Sequence, residues 1–494
     1  MKDDPHVQGL ERARLLLVWL VPIGLAGAVA FAPQVLNDGD TFWHVAAGRW
    51  MLDHHAIPSA DPFSFTFRGR PWVAHEWLSE VLLAGAFAAA GWAGVMLLTA
   101  VSAGALAAIM AAWLIRWLPP LSTAAALALG FACIAPGLLA RPHLIVLPLA
   151  ALWTAALLEA RARGGAPALA LALLMAIWAN MHSSFVLGLA IAGAFALEAL
   201  LDVSRWRRRA LVGWGAFLAA SALLCLATPN GLAGLAFPLK VMGMKTLPAI
   251  TEWQGPDFLK PSPLELALLA GAFVAFWRGV RLTAVRALVL IGLVHMTLQH
   301  VRQEALLGAL GPLVLAEPLG RALAAPALPA DFPWRLPRAE WLLAGLLAVV
   351  VAGARLAIPQ PRQDGPTAPV TALAQVPPSL RARPLLNDYD FGGYLIFEGA
   401  RPFIDGRADM YGDDFVAADA RLQDGDRAAL AQALARWRPQ WAIVRPERPL
   451  AAALAGTPGW RRVYADRYAV VLVNDAVTPS PQPRARAPTS SAHG

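Results

Sequence analysis

The chain has 494 residues, of which 57% are hydrophobic and only 15% are charged, and its mean hydropathy is +0.51. This composition excludes a soluble globular protein and predicts an α-helical polytopic membrane protein embedded in a lipid bilayer. The net charge of +8 requires no nucleic-acid partner, because arginine in cytoplasmic loops orients such proteins. Two cysteines, Cys133 and Cys225, are too few for a disulfide framework or a metal cluster.

Apolar runs recur from the first helix to residue 358 and predict about 11 transmembrane helices, because a span requires roughly 20 apolar residues. These spans are predicted near residues 15–33, 93–115, 121–140, 143–159, 166–181, 184–202, 210–228, 263–277, 282–299, 303–319 and 340–358. The first run ends in Ala28-Val29-Ala30, which is similar to a signal-peptidase site, but the run is long enough to be retained as a span.

The polar residues are distributed asymmetrically between the two predicted membrane faces. With residues 1–14 in the cytoplasm, every inner joint carries arginine, as the positive-inside rule requires. Of the 10 histidines, only His6 falls on the inner side, and the long loop 34–91 falls on the outer side. The span centres consist mostly of Ala, Leu, Val and Gly, which disfavours a lipid or solute transporter. The pattern therefore favours a site on the outer face of the membrane.

A proline-rich joint, "IPQPRQDGPTAP", separates the membrane region from a small α/β domain, predicted at residues 362–475 on the periplasmic side. The segments "RPLLND", "GGYLIFE", "RPFIDG", "QWAIVRP", "RRVYAD" and "YAVVLVN" predict short strands. The segments "DRAALAQALARW" and "PLAAALAG" predict helices. Residues 476–494 contain few core-forming side chains, so we expect this tail to be disordered.

The loop 34–91 has a distinctive order of segments. Asp38 and Asp40 precede a predicted amphipathic helix, "TFWHVAAGRWMLDHH", which is followed by "AIPSADPFSFTFRGRPW" and then "HEWLSEVLLAGAFAAAGW". This order resembles the first outer loop of the GT-C glycosyltransferase superfamily, which includes protein O-mannosyltransferases, aminoarabinose transferases, oligosaccharyltransferase catalytic subunits and bacterial GT-C-like membrane proteins without assigned substrates. The resemblance implies an outer-face glycosyltransferase that uses a sugar on a polyprenyl phosphate and a lipid, glycan or protein acceptor.

The predicted catalytic residues are carboxylates. By its spacing to Arg49, Asp40 rather than Asp38 matches the acid of the family, and it is our candidate base for the acceptor hydroxyl. In an extended turn Asp38 and Asp40 could also converge on a divalent cation, Mg²⁺ or Mn²⁺. The alternative for "NDGD" is a helix-capping turn. The resemblance implies that Glu76 is a second carboxylate of the site; alternatively, Glu76 complements the dipole of the helix that follows.

The donor phosphate requires cations on the outer side, and guanidinium groups match its oxygen geometry. Arg302 in "LQHVRQEALL" and Arg141 in "LLARPHLI" are the leading candidates. The remaining predicted substrate-binding residues are His44, His75, His143, His182 and His300. Each has a simpler alternative, as an interfacial anchor for His44 or a snorkelling side chain for the arginines.

Two function classes follow from these features. The first is a glycosyltransferase of the GT-C type with a lipid-linked donor. The second is a non-catalytic GT-C-like scaffold or binding subunit in envelope glycan assembly, because a shared fold does not establish activity.

Overall fold

The computed structural model describes residues 5–202, 208–327 and 338–475, so the predicted disordered tail lies outside the described residues. The described residues form two compact units. The first comprises those within Met1–Pro62, Gly69–Pro361 and Arg407–Asp413, and the second those within Phe63–Arg68, Arg362–Gly406 and Asp414–Gly494. The domain boundaries at residues 358 and 362 stay a prediction from the sequence; the second unit also contains residues 63–68, and the first also contains residues 407–413.

The first unit is helical. Its helices are α1 (Pro5–Ala30), α2 (Gly39–His54), α3 (Trp77–Leu114), α4 (Pro120–Ile134), α5 (Pro142–Ala162), α6 (Leu173–Met181), α7 (Phe185–Leu201), α8 (Arg208–Leu224), α9 (Gly231–Met242), α10 (Pro263–Arg278), α11 (Ala284–Gln299), α12 (Glu304–Ala322) and α13 (Arg338–Ala357). A helix coincides with each of the 11 segments in which we predict a span. The additional helices, α2 and α9, lie in predicted outer loops.

Four apolar stretches in the described part of the chain are long enough to cross a membrane: Trp77–Leu114, Pro120–Gly137, Pro142–Ala162 and Val301–Ala322. Six further apolar helices have 10–17 residues, fewer than the roughly 20 that a perpendicular span requires. The chain is therefore a helical membrane protein, while the number of 11 spans stays a prediction.

Helix α3 contains a break between the predicted outer loop and the predicted second span. Its backbone breaks at Ala90 and Gly91, where Gly91 has φ +59°, a conformation that side chains with a Cβ rarely adopt. The break lies just before residue 93, at which we predict the second span to begin. Beyond the break α3 packs closely against α1. A Cβ at Gly104 would lie only 3.1 Å from the Cβ of Ala26, so the absence of a side chain at Gly104 permits this approach.

A buried ion network joins the ends of α5, α7, α11 and α12 on the predicted inner side. Glu198 pairs with Arg161 and with Arg286, each at 3.0 Å, and Arg286 pairs with Glu317 at 2.7 Å. Buried charges are tolerated only when they are paired, so this network fixes the mutual register of the four helix ends.

In the second unit, the described strands form a four-stranded sheet in the order β1-β2-β4-β3. The strands are β1 (Leu385–Asn387), β2 (Trp441–Val444), β3 (Trp460–Ala465) and β4 (Val470–Asn474). Strands β1 and β2 are parallel, whereas β4 is antiparallel to both neighbours. The helices after α13 are α14 (Val370–Ala374), α15 (Pro378–Arg381), α16 (Gly392–Phe397), α17 (Ala408–Gln423), α18 (Arg427–Trp437) and α19 (Pro449–Ala455).

Two strand predictions in this domain are wrong. The segment "GGYLIFE" forms helix α16, and "RPFIDG" is irregular. A short run in which Tyr394, Leu395 and Ile396 are all buried fits a helix as well as a strand, so its periodicity was ambiguous. Gly392 decides the local packing, because a Cβ there would lie 2.3 Å from the carbonyl oxygen of Ile404.

Candidate functional site

The start of α2 is held against the segment that precedes α5. The carboxylate of Asp38 accepts a hydrogen bond from the backbone N–H of Thr41 at 3.2 Å and so caps the helix. The hydroxyl of Thr41 lies 3.1 Å from the carbonyl oxygen of Ala140. These contacts place Arg141, the residue after Ala140, directly beside the two acids at the start of the helix.

Three carboxylates surround the guanidinium of Arg141. Its Nε lies 2.7 Å from Oδ2 of Asp38, and its terminal nitrogens pair with Asp40 and Glu252. Glu252 also accepts a hydrogen bond at 3.0 Å from Arg302. Three carboxylates and two guanidinium groups therefore form one network with a formal charge of −1.

Aromatic side chains border this network. The guanidinium of Arg302 lies over the ring of Trp253, 4.5 Å from its centroid. The indole N–H of Trp43 donates to Asp40 at 3.0 Å, and the same indole lies against the imidazole of His44 with centroids 3.7 Å apart. Trp43 therefore connects the acid–arginine network to the neighbouring histidines.

The protonation states at Arg141 and Glu252 are set by their pairing. Burial would lower the pKa of Arg141, but the carboxylates of Asp38, Asp40 and Glu252 raise it well above its ordinary value. Burial would raise the pKa of Glu252, but Arg141 and then Arg302 lower it to about 2. Both groups are therefore charged at neutral pH.

The position of Arg141 bears on the predicted cation site between Asp38 and Asp40. The guanidinium of Arg141 lies against both carboxylates. A divalent cation bound between the same oxygens would stand beside a fixed positive charge, so this pair of acids does not fit a metal ion in the arrangement that the structure has.

A second cluster gathers around Glu76, the residue before α3. Its Oε1 lies 3.6 Å from Nε2 of His75 and 3.5 Å from Nε2 of His182. Its Oε2 lies 3.9 Å from Nε2 of His44, and Nδ1 of His44 lies 3.3 Å from Oε1 of Glu80. Three of the predicted histidines thus face the same carboxylate.

Close packing of α2 on α3 creates this cluster. A Cβ at Gly48 would lie 2.0 Å from the carbonyl oxygen of Glu80, so only glycine permits the approach. His44 and Gly48 are one helical turn apart on one face of α2, and Glu76 and Glu80 are one turn apart at the start of α3. The imidazole is therefore brought to both acids by the same helix contact.

The charges of the second cluster follow from burial and pairing. Burial would lower the pKa of His75, but the adjacent Glu76 raises it to about 9. Burial would raise the pKa of Glu76, but His75 holds it well below its usual range. Burial lowers the pKa of His182 to about 3. Its Nδ1 accepts from the backbone N–H of Ser184 at 3.1 Å, so neutral His182 carries its proton on Nε2, toward Glu76.

The other two predicted histidines have backbone partners. Nε2 of His143 lies 3.0 Å from the carbonyl oxygen of Gly137, and Nδ1 of His300 lies 2.6 Å from that of Trp253. His300 thereby joins the turn that carries Arg302 to the segment that carries Glu252. Both histidines support the loops around the network, and neither is paired with a carboxylate in the described contacts.

Two acids of the site, Glu80 and Glu252, were not predicted from the sequence. Glu80 is one turn after Glu76, a spacing that places both on one helix face and could have indicated it. Glu252 lies in a short 3₁₀ turn, Thr251–Trp253, and no motif marks it. It becomes apparent only through its contacts with Arg141 and Arg302.

The chain matches no protein-family model. No curated protein matches its sequence significantly. Among solved structures, it is similar to ArnT from Cupriavidus metallidurans, crystallised with undecaprenyl phosphate, with 15% identity and a TM-score of 0.54 over 94% of this chain and 99% of that one. ArnT is a GT-C glycosyltransferase, and the fold of this chain matches that superfamily.

Two further structures match with lower TM-scores. The oligosaccharyltransferase of Archaeoglobus fulgidus has 11% identity and a TM-score of 0.47 over 87% of this chain and 69% of that one. The arabinofuranosyltransferase AftD from Mycobacteria has 14% identity and a TM-score of 0.48, and the match covers 92% of this chain but only 39% of that chain.

Proposed function

We propose that this protein is a membrane glycosyltransferase that transfers a sugar from a polyprenyl-phosphate-linked donor to an acceptor on the outer face of the bacterial cytoplasmic membrane. The observation that carries the proposal is the network of Asp40, Arg141 and Arg302 at the first outer loop of a GT-C fold. The undecaprenyl phosphate bound to ArnT supports a polyprenyl carrier, and the α/β domain is proposed to be periplasmic.

In this proposal the two kinds of charge have separate tasks. Asp40 accepts the proton of the acceptor hydroxyl, whose oxygen attacks the anomeric carbon of the sugar. The bond from that carbon to the phosphate oxygen breaks, and the polyprenyl phosphate leaves with the electron pair. Arg141 and Arg302 stabilise the negative charge that develops on the phosphate.

The pairing of Arg141 fits this sequence of events. Its guanidinium is held by three carboxylates before a donor arrives. An incoming phosphate would compete with these carboxylates for the same N–H groups, and each contact that Arg141 transfers to phosphate releases a carboxylate oxygen. Donor binding would in this way free Asp40 to act as a base.

One observation favours the second candidate, a non-catalytic scaffold. Asp40 is paired with Arg141 and accepts a hydrogen bond from Trp43, which are the contacts of a structural staple. In a scaffold these contacts would persist when a glycolipid binds. The two proposals therefore differ in whether a lipid-linked sugar is consumed.

The experiment is to incubate the purified full chain in lipid nanodiscs with a panel of polyprenyl-phosphate sugars and candidate acceptors. Release of polyprenyl phosphate is followed by liquid chromatography and mass spectrometry. The proposal expects release from at least one donor that exceeds release by protein-free nanodiscs. Saturable binding of a donor without any release across the panel would favour the scaffold.

A further inference from the structure

The cluster around Glu80 contains a buried acid with an unsatisfied oxygen. Glu80 is 1% exposed, and its Oε2 has no hydrogen-bond partner among the described residues. A buried carboxylate oxygen without a partner is costly, because the water that would solvate it has been removed. This oxygen therefore indicates a ligand beside Glu80.

The neighbouring groups define what that ligand is. His44, Glu76 and Glu80 each offer a ligand atom, and these atoms lie within 4.8 Å of one another. His44 is 3% exposed and Glu76 is 9% exposed, so the three groups share a dry environment. The two carboxylates carry a formal charge of −2, which one divalent cation would neutralise.

The donor types select the class of cation. One imidazole nitrogen and two carboxylate oxygens suit Zn²⁺ or Mn²⁺, whereas Mg²⁺ and Ca²⁺ prefer oxygen ligands alone. Ligands of tetrahedral Zn²⁺ lie about 3.4 Å apart, given metal–ligand bonds of about 2.1 Å. Small rotations of the three side chains would therefore complete the site.

This site differs from the Asp38 and Asp40 position in one decisive respect. The acids at the start of α2 are paired with the guanidinium of Arg141, whereas in the described contacts Glu80 is paired with an imidazole and with no arginine or lysine. In the described contacts a cation at His44, Glu76 and Glu80 would meet no arginine or lysine on its ligands, and the positive charge beside them is the imidazole of His75, 3.6 Å from Glu76.

We propose that His44, Glu76 and Glu80 form a binding site for a divalent transition-metal cation, Zn²⁺ or Mn²⁺, between α2 and the start of α3. This site does not depend on the proposed glycosyl transfer. Its position one turn along α2 from Asp40 places it next to the acid–arginine network.

The experiment measures metal binding to the full chain, purified in detergent with an affinity tag that contains no histidine and stripped with a chelator. Equilibrium dialysis against Zn²⁺ or Mn²⁺, followed by elemental analysis, gives stoichiometry and affinity. We expect one Zn²⁺ or Mn²⁺ per chain, with affinity lowered at least about tenfold in Glu80→Gln and His44→Gln. Asp40→Asn should retain the wild-type affinity within about twofold.

Binding of Co²⁺ to the wild-type chain provides a second measurement that requires no variant. A visible absorption spectrum of coordinated Co²⁺ that is displaced by Zn²⁺ would support the site even if a variant fails to fold. No stoichiometric binding to wild type would overturn the proposal and leave His44 as a hydrogen-bonded bridge between the two acids. Loss of the metal in Asp40→Asn with retention in Glu80→Gln would place the cation at the other acid pair. Metal binding without sugar transfer would refute only the proposed function.

Discussion

Arg141 is the residue on which the acid–arginine network depends, because it pairs with three carboxylates while its side chain is only 13% exposed. Asp38 alone could be predicted as a helix cap from the letters "NDGD", and Asp40 and Arg141 could be proposed from type and position. The contact between Asp40 and Arg141 could not be predicted, since Arg141 lies 101 residues after Asp40 and only the packing of α2 beside the start of α5 brings them together.

Replacing Arg141 tests this dependence. In Arg141→Gln three carboxylates lose their shared cation, and we expect a loss of about 3–5 kcal/mol in the free energy of unfolding together with loss of donor binding. Arg141→Lys keeps the charge but not the planar set of N–H groups, so its stability should be intermediate. Thermal unfolding in detergent gives the order of the variants.

The control for this series is Arg163→Gln. The side chain of Arg163 is 67% exposed and pairs with Glu159 one turn away, so its removal should change stability by less than about 1 kcal/mol. Equal melting temperatures for Arg141→Gln and wild type would show that the network does not stabilise the protein.

Asp419 in α17 gives the C-terminal domain a pH dependence. Its side chain is buried, and burial raises its pKa from 3.8 to about 7. The folded state therefore holds a proton that the unfolded state releases. The protonated side chain of Asp419 therefore contributes to the stability of the folded state by at most roughly 4 kcal/mol. This contribution is complete below about pH 4 and is lost as the pH rises through about 7.

Asp419→Asn should remove this loss, because asparagine resembles the protonated acid and still accepts a hydrogen bond from Gln423. Hydrogen–deuterium exchange of peptides from β1 to β4 in the full chain measures the effect. We expect slower exchange in the variant than in wild type at pH 7.5 and similar exchange at pH 4. Exchange that is identical in Asp419→Asn and wild type at both pH values would contradict the raised pKa of Asp419.

At the scale of the elements, the contact of α2 with α3 determines where the histidine–glutamate cluster forms. The sequence predicted an amphipathic helix after the acids and a span beyond residue 93, and helices lie at both places. It did not predict Gly48 as the contact point, because a glycine within a helix has no distinguishing pattern until its neighbour is known. The strand predicted over "GGYLIFE" failed for a related reason, since tertiary packing decided between two local structures.

Gly48→Ala should destabilise the protein by about 1–3 kcal/mol, because its Cβ cannot be accommodated against the backbone of Glu80. The matched control is Gly85→Ala in α3, where a Cβ would meet no atom within 4 Å and alanine favours the helix. Thermal unfolding should place Gly48→Ala below wild type and Gly85→Ala at or above it. A melting temperature of Gly48→Ala as high as that of Gly85→Ala would refute close packing at this point.

At the scale of the whole molecule, composition and arginine placement were sufficient for the class of protein. A helical membrane unit and a small sheet-containing C-terminal unit are present, as the apolar runs and the proline-rich joint indicated. The assignment of residues 63–68 to the second unit and of residues 407–413 to the first could not be predicted, because tertiary packing within each unit has no local signature in the sequence. The sidedness of the membrane remains a prediction from the positive-inside rule.

Cysteine labelling tests this topology. The native Cys133 and Cys225 are buried and should stay unlabelled. With a membrane-impermeant maleimide applied to spheroplasts, we expect labelling of Lys260→Cys and Arg461→Cys but not of Arg163→Cys, all three being exposed positions. Labelling of Arg163→Cys alone would mean that the protein has the opposite orientation.

Asp40 is proposed to be the base of the sugar transfer. The most direct measurement is the rate of labelled-sugar transfer from a polyprenyl-phosphate donor by wild type, Asp40→Asn and the control Asp53→Asn, an exposed acid in the same helix. We predict that Asp40→Asn is slower by roughly 10²–10⁴-fold, while Asp53→Asn transfers at the wild-type rate. Transfer by Asp40→Asn at the wild-type rate would show that Asp40 is not the base.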